Sequence, residues 1–371
     1  MEPLRHATLP AGIRSRMVEG INGLTMHVLE AGEAGRPAVL LLHGFPELAY
    51  SWRRVMLPLA EAGFHVIAPD QRGYGRTTGW NDAYDADLRP FALLNLIRDQ
   101  LALLVALGIA RLHAVIGHDF GSPVAAHCAL VRPDVFRRVA LMSAPFAGPP
   151  AIGAAQRAPV SDIAKDLAAL PRPRKHYHWY YATRAANGDL MAAPQGLPAF
   201  IRAYYHHKSG DWTGNDVFPL KGWTAEELAK LPTYYVMDIA ETMPQTVAHA
   251  MPTPQQVAAC PWLTEEELAV YAQEYGRSGF QGGLNWYRTR FAGTNMEMEA
   301  FAGRRIEVPA CFIAGSQDWG VQQAPGALRK METEACADWR GTHLVPGAGH
   351  WVQQEKAAET VALLRDFLAQ A

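Results

Sequence analysis

The chain has 371 residues, of which 49% are hydrophobic and 19% are charged, so it can bury a sizeable core. Its formal net charge of −2 at pH 7 provides no basic surface, which argues against a nucleic-acid partner. No apolar run is long enough to cross a membrane, the first residues form no signal region, and the four cysteines lack metal-ligand spacing. We therefore expect a cytoplasmic protein with free thiols and no membrane partner.

The first 145 residues alternate between strand and helix patterns. A hairpin folded about Asn22 and Gly23 comes first. The buried strands and amphipathic helices that follow are predicted at Ala38–Leu42, Tyr50–Ala62, His65–Ala68, Phe91–Leu107, His113–Ile116, from Ser122 onwards, and at Arg138–Met142. This alternation favours an α/β fold with a mostly parallel sheet and helices on both faces.

The pattern changes after Ala144. Residues 146–301 are rich in Pro, Trp and Tyr and show helical segments, two of them opened by capping boxes at Thr224–Glu227 and Thr264–Glu267, but no buried strand. Alternation then resumes at Val308–Ala314, Pro325–Ala337, Thr342–Val345 and Glu355–Ala369. We predict one α/β core made of residues 1–145 and 302–371, with a helical cap inserted at 146–301.

The segment Gly117–Gly121 lies between a buried strand and a helix, which is the setting of a nucleophile elbow. Small residues flank the central position of such a turn because its backbone is strained. The central residue here is Asp119. A carboxylate that attacks a carbonyl gives a reactive anhydride, whereas attack on a saturated carbon with a leaving group gives a stable alkyl ester. Asp119 therefore indicates covalent opening of an epoxide or a carbon–halogen bond.

A nucleophile of this kind needs a base and an acid that orients the base. His350 lies in the glycine-rich loop after the last predicted strand, from which its imidazole can reach the edge of the sheet. Asp318 directly follows the preceding strand, and the competing position after Arg138–Met142 has no nearby carboxylate. The chain order of nucleophile, acid and histidine matches that of α/β-hydrolase triads.

Donors to the developing charges are predicted on two further segments. In the motif His43-Gly44-Phe45-Pro46-Glu47, Gly44 permits a tight turn. The N–H groups of Phe45 and Phe120 can then form an oxyanion hole around Asp119. Tyrosine hydroxyls suit donation to the leaving oxygen of an epoxide, but the predicted cap contains ten of them, and chemistry alone selects no pair.

With these residues the chain resembles the epoxide hydrolases of the α/β-hydrolase fold family, the group related to the soluble mammalian and plant enzymes. The resemblance lies in His43–Glu47, Tyr50–Arg53, Gly117–Gly121, Ser278–Arg288, Asp318 and Gly349–Trp351. It implies that Tyr287 and a tyrosine early in the cap polarise the epoxide oxygen. Tyr177 matches the second position, with Tyr180 and Tyr181 left as alternatives. The resemblance also implies hydrolysis through an ester on Asp119, without a metal or cofactor.

The resemblance extends the predicted site and leaves one alternative open. His43, Pro46, His178 and Trp179 are assigned to substrate binding beside the oxyanion hole. His178 and Trp179 also look like part of the fluoride pocket of fluoroacetate dehalogenases, so a haloacid dehalogenase is the alternative. Those enzymes place arginine after the nucleophile, where this chain has Phe120.

A non-catalytic receptor on the same fold would need no complete triad, so the presence of all three predicted triad residues argues against one. We expect a small apolar or aromatic epoxide as the partner. A homodimer is possible from the sequence, because the aromatic cap residues would suit either a dimer contact or a substrate tunnel.

Overall fold

The computed structural model describes residues 2–4, 7–153 and 160–370. The strands in this part of the chain are β1 (Arg14–Ile21), β2 (Leu24–Ala31), β3 (Ala38–Leu42), β4 (His65–Pro69), β5 (Ala114–His118), β6 (Val139–Met142), β7 (Arg174–His176), β8 (Val236–Asp238), β9 (Ile306–Gly315) and β10 (Cys336–Val345). Eight of them form one sheet in the order β1-β2-β4-β3-β5-β6-β9-β10. The β1–β2 and β2–β4 pairs are antiparallel and every other neighbouring pair is parallel, which confirms the predicted fold class.

Helices connect these strands and build most of the segment between β6 and β9. In chain order they are α1 (Arg53–Glu61), α2 (Leu93–Ala106), α3 (Gly121–Val131), α4 (Val160–Ala168), α5 (Tyr177–Tyr181), α6 (Ala185–Met191), α7 (Leu197–Lys208), α8 (Ala225–Leu228), α9 (Met243–Ala248), α10 (Pro254–Ala259), α11 (Glu265–Ser278), α12 (Gln281–Arg288), α13 (Ala327–Lys330), α14 (Val352–Glu355) and α15 (Ala357–Ala369). Short 3₁₀ helices lie at Ala49–Trp52, Arg89–Phe91, Met296–Phe301 and Trp319–Val321. Among the described residues, no helix has both the length and the apolar character needed to cross a membrane.

The central strands are apolar along their whole length because both faces of the sheet are covered. Strands β3, β4, β5 and β6 are buried at every residue. In β3, Leu40 and Leu42 belong to one hydrophobic cluster, whereas Val39 and Leu41 belong to the cluster on the opposite face. Alternate side chains thus fill two cores, as expected for a parallel sheet between helical layers.

Two contacts fix the segment between β6 and β9 over the carboxyl ends of the central strands. Nε of Arg53, at the start of α1, donates to Oε1 of Glu267 in α11 at 2.9 Å, and both groups are buried. The backbone of Gly282 in α12 lies so close to the loop after β4 that a Cβ there would be 1.9 Å from the carbonyl oxygen of Gly73. This close approach brings α12, and with it Tyr287, down onto the sheet.

The structure differs from the sequence-based prediction in three elements. The inserted segment contains the strand pair β7–β8, which was missed because three-residue strands with polar side chains show no alternation. The helix predicted at Pro325–Ala337 consists of α13 and a π-helical turn at Met331–Ala335. Strand β10 begins at Cys336, earlier than predicted. Most of its residues are partly exposed or exposed, so they do not form the apolar run by which a buried strand is recognised.

Other predicted elements agree more closely with the structure. The Thr264–Glu267 capping box is complete, while at Thr224 only the threonine side chain accepts the expected N–H. The division into core and cap at 146–301 stays a prediction, and residues 154–159 of that range lie outside the described residues.

Candidate active site

The turn at Asp119 has the geometry predicted for a nucleophile elbow. Asp119 follows β5 directly, precedes α3 and has a φ of +51°, a left-handed conformation that non-glycine residues rarely adopt. A Cβ at Gly117 would lie 2.1 Å from the carbonyl oxygen of Gly121, and one at Gly121 would lie 2.1 Å from that of Leu42. Both glycines are therefore required for the chain to turn this sharply beside β3.

The three predicted triad residues meet above the carboxyl ends of the parallel strands. Asp318 follows β9, and His350 lies in the loop after β10. Nδ1 of His350 donates to Oδ1 of Asp318 at 3.0 Å, and the same oxygen accepts the N–H of Gly320 at 2.7 Å. Nε2 of His350 lies 3.4 Å from Oδ2 of Asp119. The imidazole thus presents Nε2 to the predicted nucleophile, while its Nδ1–H is directed at Asp318.

The charges of the triad stabilise one another. Burial alone would raise the pKa of Asp119, but the hydrogen bond and charge of His350 hold that pKa well below its ordinary value, so the carboxylate is ionised. For His350, burial and the nearby Lys208 act to lower the pKa, but Asp318 and Asp119 outweigh them and raise it. The site therefore contains an ionised Asp119 carboxylate beside a histidine whose pKa is raised.

One of the two predicted oxyanion-hole donors contacts the unreacted carboxylate. The N–H of Phe45 donates to Oδ1 of Asp119 at 2.9 Å. A Cβ at Gly44 would lie 2.3 Å from the same oxygen, which explains the glycine in this motif. The N–H of Phe120 forms no hydrogen bond to Asp119 within the described part of the chain. Oδ1 thus accepts one N–H of the predicted oxyanion hole, while Oδ2 lies nearer to His350.

The structure corrects the predicted roles of His43 and Pro46. The imidazole of His43 is fully buried, with Nδ1 2.9 Å from the carbonyl oxygen of Gly44 and Nε2 accepting the N–H of Gln71 at 3.1 Å. The carbonyl oxygen of Pro46 accepts the hydroxyl of Tyr205. Neither residue lines the cavity above Asp119. Both brace the loop that carries Phe45, because the tight turn at Gly44 directs their side chains into the protein.

A cavity of about 720 Å³ opens above Asp119. The predicted site residues on its wall are Asp119, Phe120, Tyr177, His178, Trp179 and Tyr287. Trp223 and Phe291 add further aromatic surface, and Arg290 places a cation on the wall. A cavity of this volume suits a small molecule.

Two tyrosines on the wall of this cavity contact each other edge to face. The ring centroids of Tyr177 and Tyr287 lie 5.7 Å apart, and the hydroxyl of Tyr177 donates to Oε1 of Gln323 at 3.1 Å. Burial raises the pKa of both hydroxyls well above the ordinary value, so both remain proton donors at neutral pH. The alternatives are turned away, since Tyr180 donates to Asp189 and Tyr181 is fully buried off the cavity wall.

A buried hydrogen-bond network supports the loop of His350, and the sequence analysis did not predict it. Nε2 of His118 donates to the carbonyl oxygen of His350 at 2.7 Å, and Nδ1 lies 2.6 Å from Oε2 of Glu47. The side-chain amides of Gln353 and Gln354 donate to the other oxygen of Glu47 at 2.9 Å. The available signal was a histidine inside an apolar strand, which needs a buried polar partner.

The loop of His350 is also held by Glu355. Its carboxylate accepts the backbone N–H groups of Gly349, Trp351 and Gly210 at 2.9, 2.8 and 2.7 Å. We expect Glu355→Ala to lower the free energy of unfolding by about 2–4 kcal/mol, because three N–H groups lose their acceptor. Chemical denaturation measures this change, with exposed Glu359→Ala in α15 as the matched control. Equal stability of the two variants would contradict the expectation.

Comparison with known proteins agrees with this geometry. Residues 37–357 match the model of a family described as the alpha/beta hydrolase fold. Epoxide hydrolase A of Mycobacterium tuberculosis is 34% identical over 365 residues, which cover 94% of this chain and 95% of the relative. An epoxide hydrolase from an endophytic Streptomyces superposes with a TM-score of 0.76 at 30% identity, covering 97% of this chain and 96% of that one. Potato epoxide hydrolase I has a TM-score of 0.73 at 30% identity, covering 96% and 99%.

Proposed function

The chain belongs to the α/β-hydrolase fold family and, within it, to the epoxide hydrolases, and from this premise we propose how its residues convert an epoxide to a vicinal diol. The observation that carries the proposal is the position of Asp119. Its carboxylate faces the cavity that Tyr177 and Tyr287 also line, and it lies beside His350. The proposed nucleophile and oxygen donors therefore line one cavity, and the proposed base lies beside the nucleophile.

In the first step, Oδ2 of Asp119 attacks an epoxide carbon and the bond from that carbon to the epoxide oxygen breaks. The hydroxyl of Tyr287 or Tyr177 gives the departing oxygen its proton. The product is a hydroxyalkyl ester of Asp119 together with a tyrosinate. The N–H of Phe45 continues to hold Oδ1, which has become the carbonyl oxygen of the ester.

In the second step, Nε2 of His350 takes a proton from water while the water oxygen bonds to Cγ of Asp119. The N–H of Phe45 stabilises the negative charge that develops on Oδ1. The bond between Cγ and the alkyl oxygen then breaks, and the imidazolium returns the proton to that oxygen. The diol leaves, and the proton left on Asp119 restores the tyrosine.

We propose a substrate with an apolar or aromatic substituent. Phe120 and Trp179 support this because both line the cavity that Asp119 also lines. Reducing conditions such as the cytoplasm suit the protein, since its cysteines, three of them buried, form no disulfide. The arrangement of strands supports the proposed core at 1–145 and 302–371, because the eight-stranded sheet draws only on these ranges.

Isotope transfer tests the covalent step directly. Enzyme in excess over styrene oxide is allowed one turnover in ¹⁸O-water, and both the diol and the peptide that contains Asp119 are analysed by mass spectrometry. We expect the label in the carboxylate of Asp119 and an unlabelled diol, because the diol takes its oxygen from the aspartate. Label in the first-turnover diol, with none in Asp119, would mean direct attack by water. Fluoride release from fluoroacetate would instead support the haloacid dehalogenase, and binding without turnover the receptor.

The role of Tyr287 gives a separate prediction. We expect Tyr287→Phe to slow ester formation on the order of 10² to 10⁴-fold, because the departing oxygen loses a proton donor. Rapid-quench measurement of the first turnover gives this rate. Tyr180→Phe is the matched control, since that hydroxyl contacts Asp189 away from the cavity. An ester-formation rate equal to that of the control variant would remove Tyr287 from the mechanism.

A further inference from the structure

Lys208, at the end of α7, carries a buried ammonium group without a carboxylate partner in the described part of the chain. The residue is 2% exposed, and Nζ lies 5.3, 5.8, 4.9 and 5.3 Å from the ring centroids of Tyr204, Tyr234, Tyr235 and Trp351. Burying a cation without an ion pair is costly, and cation–π contacts offset only part of that cost. The free-energy cost of burying this cation suggests that it has a function.

The lysine is adjacent to the triad. Its carbonyl oxygen accepts the N–H of His350 at 2.8 Å, and its ammonium lies over the ring of Trp351, whose centroid is 4.6 Å from that of His350. Burial holds the pKa of Lys208 below its ordinary value, although the charges of Asp119, Asp318 and Glu47 act to raise it. The ammonium and the carboxylates of the site therefore share one buried electrostatic environment.

The positive charge of Lys208 opposes the protonation of His350 that its neighbouring carboxylates favour. Asp318 lies 3.0 Å from Nδ1 and Asp119 lies 3.4 Å from Nε2, so two carboxylates favour the imidazolium form. A proton held on Nε2 would prevent His350 from accepting the proton of water. The other ionisable groups nearby are Lys208, His118 with a centroid distance of 5.1 Å, and Glu47 behind it. Lys208 acts against protonation of His350, and the cation–π contact with Trp351 positions the ammonium group.

We propose that Lys208 is a positioning residue for the second half-reaction, whose caged positive charge keeps His350 free to accept a proton from water once the ester has formed. This inference rests on the proposed function, because it assigns the charge to hydrolysis of the ester. Formation of the ester removes the negative charge of Asp119. Lys208 then opposes Asp318 alone, and the balance shifts toward the neutral imidazole at the step that needs it.

The test compares the pH dependence of ester hydrolysis in three proteins. Rapid-quench single turnovers with styrene oxide give the midpoint of the acid limb for the wild type, Lys208→Met and Lys208→Arg. We expect the midpoint of Lys208→Met to rise by about one pH unit, since His350 then retains its proton to higher pH. Lys208→Arg keeps the charge and the wild-type midpoint. Lys175→Met is the matched control, because Nζ of Lys175 lies 5.0 Å from the ring of Tyr180, which does not line the cavity.

A second readout separates this inference from the proposed function. NMR titration of the His350 imidazole in the unreacted protein needs no ester, and Lys208→Met should raise that midpoint as well. If no ester forms while the NMR midpoint still shifts, the proposed mechanism fails and the electrostatic role of Lys208 stands. Wild-type midpoints in a folded Lys208→Met protein would overturn the inference. Lys208→Gln, which keeps a polar end, replaces Lys208→Met in both measurements if the methionine variant does not fold.

Discussion

Replacing Asp119 with asparagine should abolish steady diol formation from styrene oxide, with a loss on the order of 10⁴-fold or more. The amide oxygen of asparagine is a poor nucleophile, so no ester forms on the elbow. The N–H of Phe45 would still have an oxygen to contact, and the variant should therefore fold normally. The measurement is chromatographic detection of diol with freshly purified protein.

The control for this variant lies in the same cavity. Asp166 also lines the wall but is not among the partners in the ion pairs of the triad, and Asp166→Asn makes the same chemical change there. We expect Asp166→Asn to keep wild-type turnover within a few fold. Near-normal turnover by fresh Asp119→Asn would count decisively against Asp119 as the nucleophile.

Replacing His350 with glutamine should stop the reaction after its first half. Asp119 can still attack the epoxide, but no base accepts the proton of water, so ester hydrolysis should slow on the order of 10² to 10⁴-fold. Intact-protein mass spectrometry should then show one equivalent of styrene oxide bound to the enzyme. Peptide mapping should place it on the fragment that contains Asp119.

His343→Gln in β10 is the matched control, because that histidine lies outside the cavity and the triad. It should show wild-type turnover and no accumulated adduct. An unmodified His350→Gln protein that still forms diol at the wild-type rate would exclude His350 as the base. Both half-reactions are thus tested by variants that fail at different steps.

The positions of the three triad residues could be predicted because each follows a strand. Asp119, Asp318 and His350 lie at the carboxyl ends of β5, β9 and β10, and parallel strands bring these ends to one edge of the sheet. Local patterns therefore locate residues as far apart in the chain as Asp119 and His350. The glycines of the elbow were predictable for a similar reason, since their close contacts arise within one turn.

The tyrosines could not be chosen in the same way. Tyr177, Tyr180 and Tyr181 lie on one short helix, and only the rotation of that helix against the cavity decides which hydroxyl enters. That rotation depends on packing between elements far apart in the chain. Family resemblance indicated Tyr177 and Tyr287, and the structure places both on the cavity wall.

The sequence by itself predicted the role of Asp119 and determined the chain order of its partners, because strand–turn–helix patterns and residue types are local properties. Only the tertiary structure decided what surrounds that chemistry. His118 contacts Glu47, which lies 71 positions earlier in the chain. The ammonium group of Lys208 in α7 lies against the aromatic rings of Tyr234, Tyr235 and Trp351 from other parts of the chain. These contacts form because the inserted helices pack on the carboxyl ends of the strands, and the burial that results controls the charges of the site.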